Sequence, residues 1–101
     1  GEDEWAITRA SDEFVDGLKP HEAFSAITGI LDLAKEQDDS YAFASCCWLV
    51  LQLAGKAQTT EHPEGLEAKL KELLQYSEQF GDNSQSEVKK IAAWFRITNI
   101  I

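Results

Sequence analysis

Apolar residues recur at spacings of three and four along most of the chain, and no stretch keeps the strict alternation of a half-buried strand. The pattern predicts an all-α fold of five helices. The first covers about residues 3–17, with Ile7, Ala10, Phe14 and Leu18 as its inner stripe and Arg9, Asp12 and Asp16 outside. Gly17 and the Leu18-Lys19-Pro20 step stop it, because the residue before a proline avoids the helical region. Pro20 suits the first turn of a second helix reaching about Gln37, with Ala23, Phe24, Ile27, Ile30, Leu31 and Ala34 inward. Asp39 or Ser40 is the expected N-cap of a third helix, about residues 40–57. A fourth helix, capped by Thr60 with Pro63 in its first turn, carries Leu66, Leu70, Leu73, Leu74, Ser77 and Phe80 and ends at Gly81. The fifth is expected to start at Ser84, which has capping-box spacing to Glu87, and to bury Val88, Ile91, Ala92 and Phe95.

The third helix breaks the amphipathic pattern. Around its run AFASCCWLVLQLA, residues 42–54, the helix keeps only Ser45, Gln52 and Lys56 in one narrow polar lane. The run is shorter than the ~20 apolar residues of a membrane span, so the expected place for it is the centre of the fold, covered on nearly every side, with a surface that binds a partner as the alternative. Cys46 and Cys47 are adjacent and point about 100° apart on a helix, which rules out a disulfide between them without breaking it. The pair also lacks the two-residue gap of redox and zinc motifs, and there is no third cysteine. Both are expected to be core filler, with neither a cofactor nor a metal.

A self-similarity runs through residues 21–98, most of the chain. Displacing residues 27–33 by 43 puts Ile27, Ile30, Leu31 and Leu33 on Leu70, Leu73, Leu74 and Tyr76. Displacing residues 42–49 by 46 puts Ala42, Ser45, Cys46, Trp48 and Leu49 on Val88, Ile91, Ala92, Trp94 and Phe95. Helices two and three and helices four and five thus read as one helical hairpin used twice. This period, with a short acidic or amide turn, resembles HEAT and armadillo repeats over residues 21–98. The resemblance implies antiparallel hairpins stacked as a short α-solenoid; an irregular helical bundle is the alternative. Val88-Lys89 and the small residues after them keep part of the HEAT step into a second helix, whereas the first copy lacks the basic residue. One domain, residues 1–101, is expected: a capping helix over 1–18, one hairpin over 20–57 and another over 60–101.

Charge narrows the function. Against 9 Lys and Arg stand 18 Asp and Glu, a formal net charge of −9, so nucleic acid and anionic membrane surfaces are disfavoured as partners. The excess is concentrated at the N-terminal side, with net −8 over residues 1–39 and −1 over residues 40–101. The one cluster with the character of an interaction surface is acidic: Asp12, Glu13, Asp16, Glu22, Asp32, Glu36, Asp38 and Asp39 on the outer faces of the first two helices. Such a face either only solubilises the chain or draws in another protein with a basic surface. His21 and His62 each lie beside a carboxylate near an expected helix start and read as ordinary surface residues. No nucleophile-base or paired-acid set can be assembled from spacing, and no glycine-rich phosphate loop is present, so an enzyme is not expected.

Methionine is absent, so Gly1 is not expected to be the translation start, and the opening residues lack the order of charges and apolar residues of a signal peptide. The cysteine pattern favours a reducing, cytoplasmic setting. Gly29, in mid-helix, is expected either to carry its cost or to admit a close neighbour. Ile97, Ile100 and Ile101 make an apolar end that can pack back, form a homodimer, or mark where a longer solenoid was cut. The expected function is a non-catalytic protein-protein interaction module with an acidic face for a basic partner, for example an inhibitor or immunity protein of a bacterial toxin. The alternative is a structural or homo-oligomerising helical domain, or a fragment of a longer repeat protein. The string TTEHPEG, residues 59–65, is similar to a turn in colicin-type DNase immunity proteins, which continue into a motif with adjacent tyrosines where LEAKLKELLQYSE, residues 66–78, follows here; no binding residue carries over.

Overall fold

Local signals place most of the helix ends. In the computed structural model, which describes residues 13–58 and 61–97, the first described helical turn (α1) covers residues 13–16 and closes with the Gly17 N–H on the Glu13 carbonyl. α2, Pro20–Ala34, opens as expected with proline in its first turn. The Lys19 N–H, one of the donors a helix start leaves unpaired, is taken by the Glu22 carboxylate at 2.8 Å. α3, Ser40–Ala57, is capped by Asp39, whose carboxylate accepts from the Ala42 N–H at 3.0 Å. α4 is Leu66–Ser77, followed by a 3-10 turn, Glu78–Phe80, and α5 is Asp82–Trp94. No strand occurs among the described residues, and the fold is all-α.

Several expected boundaries move, each for a local reason. α2 ends at Ala34, three residues before Gln37, in a turn closed by the Glu36 N–H on the Leu33 carbonyl. Pro63 does not start α4; Gly65 stands in the left-handed region at φ 76° and the helix begins after it. Thr60, the expected cap, lies outside the described residues. Ser84 does not cap α5 but sits inside it, buried, because the helix starts two residues earlier behind Gly81. Gly81 has φ 101° and ψ −173°, a conformation essentially confined to glycine, and it lets the chain leave the 3-10 turn and enter α5 at once.

The hairpins lie side by side. α2 packs on α3, α4 on α5, α2 on α4 and α3 on α5, and the shortest dimension is 19 Å, that of two helical layers. α2 and α4 run in the same direction: Asp32 pairs with Lys69 at 2.7 Å, Lys35 with Glu72 at 2.5 Å, and the Tyr76 hydroxyl donates to the Gln37 carbonyl. Two of these bonds link residues 37 apart and the third residues 39 apart. The displacement that aligns the sequences is 43, so the second hairpin is slipped along the first by about five residues, roughly 8 Å at 1.5 Å per residue.

The core follows the apolar stripes. Ala23, Ile27, Leu31 and Ala34 of α2 meet Phe43, Cys47, Val50, Leu53 and Ala54 of α3, with Leu66, Leu70 and Leu73 of α4 and Val88, Ile91, Ala92 and Phe95 at the far side, all buried. Two expectations are corrected. Phe14 does not line the inner stripe of α1; it is 48 % exposed, and its neighbour Val15 enters the core instead. α3 is not covered all round: Tyr41, Trp48 and Gly55 form an outward lane at heptad spacing, with Trp48 36 % exposed. The partner in the sequence alignment, Trp94, is exposed too, at 40 %. Ile97 packs back into this chain's own core, one of the courses expected for the apolar end, while Ile100 and Ile101 lie outside the described residues.

Candidate functional site

The acidic residues singled out in the sequence divide into working and unoccupied groups. Asp12 lies outside the described residues. Glu22 caps α2 and Asp39 caps α3, so both carboxylates are engaged by backbone N–H groups. Asp32 is neutralised by Lys69 of α4, a base 37 residues away that the local sequence around helix two could not show. Beside it, the Lys35 ammonium holds the Glu72 carboxyl below its usual value, chiefly by hydrogen bonding and then by its charge. The predicted acidic flank of α2 is therefore a charge ladder of alternating sign. Glu13, Asp16, Glu36 and Asp38 remain exposed, and their side chains pair with nothing among the described residues.

A different acidic feature arises from the stacking. Because α2 and α4 are parallel, the turns at residues 35–39 and 78–81 come to the same edge. Phe43, Tyr76 and Phe80 join them from below: Phe43 lies 5.9 Å from the Tyr76 ring and 5.3 Å from Phe80, and Tyr76 meets Phe80 edge-on at 5.7 Å. Glu36, Asp38, Asp39, Glu78 and Asp82 lie in or next to these turns, and the one base there among the described residues, Lys35, is bound to Glu72. Glu78 and Asp82 do not stand out in the sequence, because the second half of the chain is nearly neutral in total; the parallel stacking is what adds them to the first turn.

Beneath this edge a groove of about 300 Å3 opens between the first turns of α3 and α5. Ser40, Tyr41 and Ala44 form one wall, and Phe80, Asn83, Ser84 and Glu87 the other. Tyr41 is 41 % exposed. Glu87 receives the Lys90 ammonium on Oε1 at 3.0 Å, three residues along the same helix. Its charge also reaches Cys47 on the opposite helix: burial first, then Cys46 and Glu87, push the Cys47 thiol up to about 12. Burial raises Cys46 as well. Neither cysteine is set up as a nucleophile, since the thiolate is the reactive form.

The remaining candidates fall elsewhere. His62 does more than sit on the surface: its Nε2 is 2.7 Å from the Phe95 carbonyl, and its ring meets Phe95 edge-on at 5.9 Å, fastening residues 61–65 to the end of α5. His21 is exposed. Gly29 has open space where a side chain would begin, so no close neighbour accounts for it. Among the described residues, no three His, Cys, Asp or Glu side chains form a metal-ligand set, and no helix is long and apolar enough to cross a membrane. No known protein family, curated protein or solved structure matches this chain.

Proposed function

We propose that this chain is a non-catalytic protein-binding module of two stacked, HEAT-like helical hairpins, and that the acidic turn edge docks a protein with a basic surface. The observation that carries the reading is the convergence of two turns that hold five carboxylates, the one base among their described residues, Lys35, being paired with Glu72. Charges gathered on one rim raise the rate at which an oppositely charged partner arrives and turn away anionic competitors, and salt weakens both effects. An inhibitor or immunity protein of a basic bacterial toxin is one concrete form of such a module. A reducing, cytoplasmic setting fits two cysteines that have no disulfide.

The experiment is affinity capture at low and moderate salt, with the captured proteins identified by mass spectrometry and the purified chain sized in parallel. A basic protein held at low salt is expected, and Glu36→Lys with Asp38→Lys and Glu78→Lys is expected to release it. These three positions are exposed, which spares the caps and the core. Capture unchanged by the triple substitution refutes the edge as the docking surface. A salt-insensitive dimer with no partner favours a homo-oligomerising domain instead.

A further inference from the structure

Resting on that reading, we infer that the groove between the first turns of α3 and α5 seats an arginine side chain of the partner protein. The groove is an aromatic slot with a carboxylate in its wall rather than a patch of acids. Tyr41 presents an exposed ring on one side, Phe80 lies half-buried on the other, and Glu87 contributes a carboxylate from α5. A planar guanidinium stacks on an aromatic face and sends several N–H donors in fixed directions, a combination that a lysine ammonium lacks. Lys90 occupies Oε1 of Glu87, which leaves Oε2 for an incoming donor. Asn83, also in the wall, adds an amide oxygen that can accept.

The local fields favour a cation despite the helix starts. The N-terminal turns of α3 and α5 each bring about half a positive charge to this end. Asp39, capping α3, and Asp82, in the first turn of α5, bring a full negative charge apiece, and Asp38 and Glu78 add to them, while the charge of Glu87 is offset by Lys90. A partner drawn to the edge by its general basic charge thus meets one recess where charge, ring face and hydrogen-bond acceptors coincide. The edge supplies attraction, and the groove supplies the position.

The test is a titration of isotopically labelled protein with N-acetyl-arginine amide at millimolar concentration, followed by amide chemical shifts, against the lysine and citrulline counterparts. Shifts are expected at Tyr41, Ala44, Ser84 and Glu87 with the arginine probe, smaller ones with lysine and none with citrulline, which keeps the shape without the charge. Tyr41→Ala is expected to weaken the arginine effect about two- to fivefold, and Glu87→Gln to abolish it. Equal shifts with lysine or citrulline, or no shift in the groove, overturn the inference. The edge reading fails separately. A basic partner retained by Tyr41→Ala and Glu87→Gln but lost on charge reversal at Glu36, Asp38 and Glu78 keeps the edge and removes the groove. Retention through the charge reversal removes the edge.

Discussion

Cys47 gives a sharp check on how the centre of this fold is built. It is fully buried on α3, and burial, with smaller contributions from Cys46 and Glu87, moves its thiol from 9.0 to about 12. A displacement of three units leaves roughly a thousandfold less thiolate than a free thiol has at mildly alkaline pH, before any obstruction to the reagent is counted. In the native protein a disulfide reagent such as DTNB is therefore expected to modify Cys46, which is half-buried, well before Cys47, and urea is expected to remove the difference. The same shift has a thermodynamic consequence with a definite sign. Folding favours the neutral thiol, so its contribution is complete below the unfolded value near 9.0 and declines as pH rises toward about 12. The decline is about 1.4 kcal/mol per pH unit over that window, or roughly 4 kcal/mol across it if the chain stays folded. Tyrosines and lysines titrate in the same range, so the quantity to measure is the difference between wild type and Cys47→Ala in urea midpoint from pH 8 upward. A wild-type curve that falls more steeply than the variant's is expected. Parallel curves, or two thiols modified at equal rates in the native protein, refute the placement of Cys47 in the core.

Three further outcomes are expected in urea titrations. Gly29→Ala is expected to stabilise the chain by up to about 1 kcal/mol, because the added methyl meets open space in an exposed mid-helix position; a loss would mean that α2 bends or is approached there. Arg96 stands at φ 59° just past α5, where the Ile97 and Arg96 N–H groups close on the Ala92 and Ala93 carbonyls, the arrangement usually completed by glycine. Arg96→Gly is thus expected to gain up to about 1 kcal/mol, and a fall in the urea midpoint would contradict it. Phe43→Ala removes the ring that joins the two turns from below and is expected to cost about 3–5 kcal/mol; a cost below 1 kcal/mol would show that Tyr76 and Phe80 hold the edge without it.

Much of the core was legible in the sequence because helical periodicity is a local property. Ala23, Ile27, Leu31 and Ala34, or Leu66, Leu70 and Leu73, share a face whatever they pack against, and all of them are buried. Asp39 as a cap was equally readable, since the cap bond reaches only three residues ahead. Failures occurred where two local signals competed. Phe14 and Val15 both suit an inner stripe, and the choice between them depends on the angle at which α1 meets the rest. Apolarity all round α3 predicted cover on every side, yet a slab of two layers leaves an outward lane for Tyr41 and Trp48.

The candidate site was less legible. Sequence order put the acids of the first 39 residues together and left those of the second half diluted by six bases. Folding redistributed both sets. Lys69 crossed over to neutralise Asp32, and Glu78 and Asp82 joined Glu36, Asp38 and Asp39 at one edge. By itself the sequence determined the all-α class, the helical stripes and the net charge of −9, because these depend on backbone geometry over a few residues or on a simple total. Only the tertiary structure decided which charges meet: electrostatic energy depends on distance through space, and the parallel stacking of α2 on α4 brings residues 37 apart in the chain within 3 Å.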